Sequence, residues 1–146
     1  MRVKAGDLFE FCLNDIVANM LLTHTDPQYG GLLYEVVRKD DGGVDVLQGV
    51  EYPCAWFPIA AGIKKGVLKK LGSVNVPEPL RVRPNFRSCH YDKSGNPVSW
   101  FLFDGSEFIK IDAVDEKFAR LPLLLILNDT ALSDQIINGW KMNKFP

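Results

Sequence analysis

The sequence SWFLFDGSEFIKID, at Ser99–Asp112, carries the clearest structural signal in this chain. Its central dipeptide, Asp104-Gly105, accepts the positive φ angles of a tight turn and is flanked by aromatic and β-branched residues. That combination is the strongest short-range signal for a β-hairpin. With the dipeptide as a two-residue loop, Phe101 would lie opposite Phe108. The stretch therefore predicts a ribbon of two antiparallel strands.

Both faces of this ribbon carry apolar side chains, because successive side chains alternate across a strand. One face holds three phenylalanines and the other holds four large apolar residues: Phe101, Phe103 and Phe108, and Trp100, Leu102, Ile109 and Ile111. A ribbon that is apolar on both sides needs cover on both sides. We therefore expect it to lie at the centre of the domain.

Upstream of the ribbon, apolar and polar residues alternate in short segments separated by turn residues. The segments are Asp7–Leu13, Ile16–Thr25, Leu32–Lys39 and, more weakly, Val44–Val50. A period of two indicates strands, and the short turns between them favour antiparallel neighbours. Such a meander can curl into a small barrel or half-barrel.

Prolines and glycines interrupt the middle of the chain. The segment Tyr52–Ile59 contains two prolines and is expected to be an edge strand or an ordered loop, because proline cannot donate to a β-ladder. Apolar residues then recur at every fourth position from Ile59 to Leu71. This spacing predicts an amphipathic helix that ends at Gly72.

Two further elements complete the predicted domain. Phe86–Tyr91 is expected to be a strand, and Asn128-Asp129-Thr130 supplies capping residues for a terminal helix. The length predicts one domain over residues 1–146. The predicted fold class is α+β and β-rich, with a strongly curved antiparallel sheet or small half-barrel and one or two packed helices.

The charge of the chain is nearly balanced overall and uneven along its length. Among 146 residues the formal net charge is −1, which disfavours a general nucleic-acid binder. Residues 1–60 hold nine acids and four bases, whereas residues 61–93 hold two acids and eight bases. Such a split makes two oppositely charged surfaces possible, although solvated faces produce the same pattern.

The cysteines and apolar runs predict a cytoplasmic protein without a cofactor. Cys12, Cys54 and Cys89 have no metal-ligand spacing, and an odd count argues against a disulfide framework. The start of the chain has no apolar secretory segment. The longest apolar run, Leu121–Leu127, contains a proline and is too short to span a bilayer. We expect no membrane contact.

No residue pattern indicates catalysis. Cys89-His90 is the only adjacent thiol and imidazole, and neighbours on a strand point to opposite faces, so they cannot act as nucleophile and base. The glycines near Lys64 lack the strand-to-helix context of a phosphate-binding loop. We therefore expect the protein not to be an enzyme.

An acidic stretch is the candidate site for binding a partner. It comprises five carboxylates in or beside one predicted hairpin: Glu35, Asp40, Asp41, Asp45 and Glu51. Such a patch either mimics phosphates towards a basic protein or is a solvated turn. The residues alone leave both interpretations open.

Basic residues with nearby aromatic residues form a second candidate, which would suit single-stranded nucleic acid. They are Lys64, Lys65, Lys69, Lys70, Arg81, Arg83 and Arg87, with Phe86, Tyr91 and Trp100. A simpler explanation of the same pattern is that the lysines lie on the solvent-exposed face of a helix and the aromatic residues lie in a core. Nucleic acid is therefore an unlikely partner.

The order of several motifs resembles the immunity protein 26 family of bacterial polymorphic-toxin and contact-dependent-inhibition systems. The motifs are VKAGDLF at residues 3–9, Leu71-Gly72, PEPL at residues 77–80, PNFR at residues 84–87, the strand around Trp100 and a short closing helix. The resemblance implies a small cytoplasmic protein that neutralises a cognate toxin domain by stoichiometric binding. It transfers no catalytic or contact residues and predicts no particular oligomeric state. Small barrels that bind RNA or proteins begin with a similar motif, so a regulatory binding domain is the alternative.

Overall fold

The structure is a computed structural model that describes residues 2–143. The fold is α+β with two antiparallel sheets. The elements are β1 (Asp7–Leu13), β2 (Ile16–Asp26), β3 (Gly30–Arg38), β4 (Val44–Val46), β5 (Cys54–Phe57), α1 (Ile59–Lys65), β6 (Leu68–Ser73), β7 (Phe86–Tyr91), β8 (Pro97–Phe103), β9 (Phe108–Ile111), α2 (Glu116–Ala119) and α3 (Asp129–Asn138). Short 3₁₀ helices lie at Glu78–Leu80 and Lys141–Asn143. The predicted fold class is confirmed.

The described residues divide into two compact units. The first comprises residues 2–82 and 125–143, and the second comprises residues 83–124. The first unit contains a six-stranded sheet in the order β4-β3-β2-β1-β6, with β5 also paired to β3. The second contains a three-stranded sheet in the order β7-β8-β9.

The predicted meander is confirmed in the first unit. Strands β1, β2 and β3 begin and end within two residues of the predicted bounds, and each pairs antiparallel with the next. On one face of this sheet the side chains are almost completely enclosed, with Phe9, Phe11 and Met20 at 0% exposure. Burial of several side chains of this size is the main stabilising contribution to the unit.

Gly6 allows the start of β1 to meet the end of β6. Its N–H donates to the Leu22 carbonyl at 2.8 Å, and its own carbonyl accepts from the Val74 N–H at 2.8 Å. The φ angle of Gly6 is 95°, which favours glycine, and a Cβ atom there would lie 2.7 Å from the Val74 carbonyl oxygen. The glycine of the VKAGDLF motif is therefore structural.

The predicted helix over residues 59–71 is too long. Helix α1 ends at Lys65, because Gly66 adopts a left-handed φ of 81° and caps the helix with its N–H. The chain then extends as β6, which pairs with β1 from Leu68 onward. The apolar residues at the end of the predicted helical repeat thus belong to a strand.

Strand β5 is enclosed, which differs from the edge strand or loop that its prolines predicted. All four residues from Cys54 to Phe57 are buried. One side of β5 pairs with β3, and the other side is covered by residues 125–127. Trp56 donates its N–H to the Leu125 carbonyl at 2.8 Å, and the Leu127 N–H donates to Trp56. The prolines lie just outside the paired residues, where no donor is needed.

The terminal helix is confirmed. The Asn128 side chain accepts a hydrogen bond from the Ala131 N–H at 2.8 Å, and Gly139 ends the helix with a φ of 66°. Helix α3 packs against β1 and β2 with Leu132 fully buried.

The ribbon has a different register and a less central position than predicted. Its loop contains four residues, so Phe103 pairs with Phe108 and Phe101 pairs with Lys110. The Asp104 side chain causes the longer loop, because its Oδ1 atom accepts the N–H groups of Ser106 and Glu107. A shift of two residues leaves the composition of each face unchanged. Phe108 is 45% exposed, so the expectation of a ribbon covered on both sides is wrong.

Candidate partner-binding site

The hairpin of β3 and β4 presents three of the five predicted acidic residues, two in its turn and one in β4, and we call it the acidic hairpin: Asp40, Asp41 and Asp45. The hairpin is closed by hydrogen bonds from the Lys39 N–H to the Gly43 carbonyl at 2.8 Å and from the Gly42 N–H to Lys39 at 3.1 Å. All three carboxylates are exposed. The sequence produces this turn because an aspartate accepts local N–H groups and glycines supply its backbone freedom.

The charge of the acidic hairpin is only partly balanced by a neighbouring lysine. Lys39 Nζ lies 3.7 Å from Asp41 and 4.0 Å from Asp45, and all three side chains are well exposed. Exposed ion pairs contribute about 0–1 kcal/mol, so these pairs do little for stability. The Gly43 N–H, followed by Lys39, lowers the pKa of Asp41. Asp41 therefore stays ionised at neutral pH.

Glu35 does not belong to this surface. It lies within β3 and is half-buried, and its Oε1 atom accepts a hydrogen bond from the Trp140 indole N–H at 2.9 Å. Burial raises the pKa of Glu35, and the bond from Trp140 lowers it in part. The apolar run LLYEVV around Glu35 is the sequence signal that this carboxylate lies inside a strand and not on a turn. Glu51, the fifth predicted residue, is exposed between β4 and β5.

An open depression of about 530 Å³ lies beside the acidic hairpin. One wall is the turn Asp41–Gly43, and the other comprises residues 73–75, which follow β6. Strands β4 and β6 stand at opposite ends of the strand order, so the sheet must curve strongly for these segments to meet. The depression thus gives Asp41 a concave surrounding.

A buried carboxylate that the sequence analysis missed closes this corner of the sheet. Asp7 is 0% exposed and accepts hydrogen bonds from the Lys4 N–H at 2.9 Å and the Ser73 hydroxyl at 3.0 Å. The Lys70 Nζ atom lies 3.3 Å from Asp7 Oδ1, the same oxygen that accepts the hydrogen bond from Ser73. Burial raises the pKa of Asp7, but these three donors outweigh burial, so the pKa lies below its ordinary value. Lys70 therefore contributes to the fold through its ion pair with Asp7.

The predicted lysines lie in the first unit, whereas the predicted aromatic residues all lie in the second. Lys64, Lys65 and Lys69 are exposed on α1 and β6. Phe86 is buried, and Trp100 is half-buried with its ring edge-to-face against Phe118 at 6.0 Å. The buried Phe86 ring stabilises a core and is not available for stacking with bases, whereas the Tyr91 ring is 61% exposed.

Cys89 and His90 lie on opposite faces of β7, as strand geometry predicts. The His90 ring packs against the Phe101 ring in a tilted arrangement with centroids 4.4 Å apart, while Cys89 pairs with Trp100 in the ladder. In the part of the chain that the structure describes, no three His, Cys, Asp or Glu residues are grouped so that they could hold a metal ion.

Within residues 2–143, no helix has both the length and the apolar character needed to cross a membrane. Comparison with models of known protein families, with curated proteins and with solved structures gave no match to this chain.

Proposed function

We propose that this chain is an immunity protein, which binds a cognate bacterial toxin domain in the cytoplasm and neutralises it by stoichiometric inhibition. The observation that carries the proposal is the acidic hairpin, where three exposed carboxylates project beside a concave surface. The order of motifs that resembles the immunity protein 26 family supports the same function.

The acidic hairpin suits a basic partner for two physical reasons. Exposed charges of one sign attract the opposite charge over several ångströms and raise association rates by a factor of about 10–10³. In addition, the depression beside Asp41 can accommodate a lysine or arginine side chain of the partner. A basic toxin, such as one that acts on nucleic acid, has the required charge. The inhibitor itself contributes no chemical step in this proposal.

The alternative function is a small regulatory domain that binds RNA or another protein. The exposed group of Lys64, Lys65 and Lys69 favours it, because those side chains would meet an acidic partner or a phosphate backbone. The two functions therefore predict opposite charge preferences and can be separated by one pair of variants.

The experiment uses the toxin domain encoded next to this gene as the partner. One variant carries Asp40→Asn, Asp41→Asn and Asp45→Asn together. Association and dissociation rates are measured at low and moderate salt, and growth rescue is scored in cells that produce the toxin. We expect association to slow by about tenfold with a flatter salt dependence, because exposed charges mainly steer the encounter.

The matched control carries Lys64→Ala, Lys65→Ala and Lys69→Ala and leaves Lys70 in place, since Lys70 pairs with Asp7. This control should bind and rescue like the wild type. If the lysine variant alone loses binding, the partner is acidic and the acidic hairpin is not the contact surface. If the wild type neither binds the toxin nor rescues growth, the proposed function is wrong.

A further inference from the structure

Strand β9, at one edge of the three-stranded sheet, differs from the sheet edges formed by β7 and β6. The outer side of β7 is covered, since the Arg87 N–H donates to the Pro122 carbonyl and Arg87 accepts from the Leu124 N–H, both at 2.9 Å. Strand β6 carries Lys69 and Lys70, and lysines protect an edge from further pairing. Strand β9, with the sequence FIKI, has a single lysine among three large apolar residues, and in the structure of residues 2–143 it is paired with β8 alone.

The backbone groups of β9 alternate between β8 and the open side. In an antiparallel ladder, opposed residues alternate between hydrogen-bonded and non-hydrogen-bonded pairs. The Asp104 N–H donates to the Glu107 carbonyl at 3.3 Å, which makes Leu102 and Ile109 the next bonded pair. The ring centroids of Phe103 and Phe108, only 4.7 Å apart, fit the intervening non-bonded pair. The N–H and C=O groups of Phe108 and Lys110 therefore face outward.

The side chains along this edge are apolar and accessible. Phe108 and Ile109 are 45% and 44% exposed, and they lie on opposite faces of the strand. An open edge with apolar side chains invites pairing with another strand. Main-chain bonds to Phe108 and Lys110 would supply affinity, and contacts with Phe108 and Ile109 would supply selectivity.

Acidic residues flank both ends of β9, and their charge indicates which kind of partner strand can pair with its open edge. Residues 104–116 contain five acids and one base, Lys110. Asp104 and Glu107 precede the strand and Asp112 follows it, all three exposed. The N–H groups of Glu107 and Ser106 lower the pKa of Asp104, so it is ionised. If a second copy of the chain paired antiparallel with this edge, the acidic residues at the ends of both strands would repel each other. A strand with basic residues at its ends would instead be attracted by the acidic residues of β9.

We propose that the outer edge of β9 binds an extended segment of a partner protein, with an apolar centre and basic residues at its ends. The segment would add a fourth strand to the sheet of the second unit. This site is separate from the acidic hairpin and does not rest on the proposed immunity function, so either can fail alone.

The first test measures a defined probe on the wild-type chain. The probe is the peptide acetyl-Lys-Arg-Val-Thr-Val-Thr-Val-Arg-Lys-amide, and its control replaces the four basic residues by Glu and Asp. We expect the basic peptide to bind at least tenfold more tightly. Hydrogen exchange followed by NMR should slow at least tenfold at the amides of Phe108 and Lys110, with little change at Ile109, whose amide already faces β8.

The second test uses a pair of variants at Lys110. Lys110→Pro removes an outward N–H group without removing a bond to β8, whereas Lys110→Ala keeps the N–H group. The proline variant should lose peptide binding by at least tenfold, and the alanine variant should stay within threefold of the wild type. Should the proline variant fail to fold, the exchange result on the wild type decides.

Three results would overturn the proposal. The first is unchanged exchange at Phe108 and Lys110 with saturating basic peptide, and the second is equal binding of the acidic peptide. The third is slow exchange at these amides without peptide, together with a concentration-dependent dimer, since a second copy would then occupy the edge.

Discussion

Replacing Asp7 by asparagine should destabilise the first unit strongly, although the two side chains have nearly the same shape. Asp7 accepts from the Lys4 N–H, the Ser73 hydroxyl and the Lys70 ammonium and is 0% exposed. Asparagine keeps one oxygen and turns an amide donor towards groups that also donate. The variant therefore leaves at least one enclosed donor without an acceptor.

The expected loss follows from the surroundings of the two charges. Breaking a buried ion pair by removing one partner costs about 3–5 kcal/mol. The Lys70 side chain is 30% exposed, so water can partly solvate its charge in the variant, and the lower end of this range applies. We expect a loss of about 3 kcal/mol, which corresponds to a decrease in Tm of roughly 6–12 °C for a chain of this size.

The pH dependence separates this explanation from a simple packing defect. Because the pKa of Asp7 lies below its ordinary value of 3.8, its contribution is present above that pH and is lost as the pH falls through the folded-state pKa. Urea unfolding of the wild type and the variant should therefore show a constant difference above about pH 5 and a shrinking one in stronger acid. Asp45→Asn is the control and should stay within about 0.5 kcal/mol of the wild type. A loss below about 1 kcal/mol for Asp7→Asn, or a difference that does not shrink in acid, would refute the reasoning.

Three further predictions concern stability. Phe103→Ala should cost about 3–5 kcal/mol by urea unfolding because Phe103 is 3% exposed, and Phe108→Ala should cost clearly less; equal losses would contradict the assigned burial. Gly66→Ala should lower the free energy of unfolding by about 1–2 kcal/mol, since its φ of 81° is strained for alanine, and no loss would mean that α1 ends differently. Glu35→Gln should not lower stability at pH 7, because burial raises the pKa of Glu35 and the protonated form is favoured in the fold. The wild type should gain stability relative to this variant as the pH falls through the raised folded-state pKa of Glu35 towards the ordinary value of 4.5. A clear loss of stability for Glu35→Gln at pH 7 would show that Trp140 needs the carboxylate.

The parts of the fold that follow from local pattern could be predicted from the sequence. Alternation and turn residues were sufficient for β1, β2 and β3, and capping residues were sufficient for α3. The register of the ribbon was wrong because the Asp104 side chain competes for local N–H groups, which the dipeptide alone does not reveal. The end of α1 was wrong because Gly66 and pairing of β6 with β1 override a helical repeat of apolar residues.

The candidate site was predictable only where its residues lie close in sequence. The acidic hairpin, with Asp40 and Asp41 in its turn and Asp45 in β4, is local, so composition was sufficient to find it. Long-range contacts decided the rest, since Glu35 meets Trp140 across 105 residues and Asp7 meets Ser73 across 66. No sequence pattern pairs residues at such separations without a knowledge of strand order.

The carboxylates of this chain differ in their surroundings, and this difference decides which of them are suited to binding. Asp7 is enclosed and bonded to three donors, so its charge maintains the fold. Asp41 and Asp45 are exposed near one lysine, and exposed pairs contribute about 0–1 kcal/mol. Replacing them should therefore change association with a partner while leaving stability almost unchanged. If the triple Asn variant of the acidic hairpin loses binding at an unchanged Tm, the loss shows that the hairpin contacts the partner. If Asp7→Asn loses binding together with a lower Tm, the loss shows that the chain is unfolded. Comparing the two Tm values therefore distinguishes these cases.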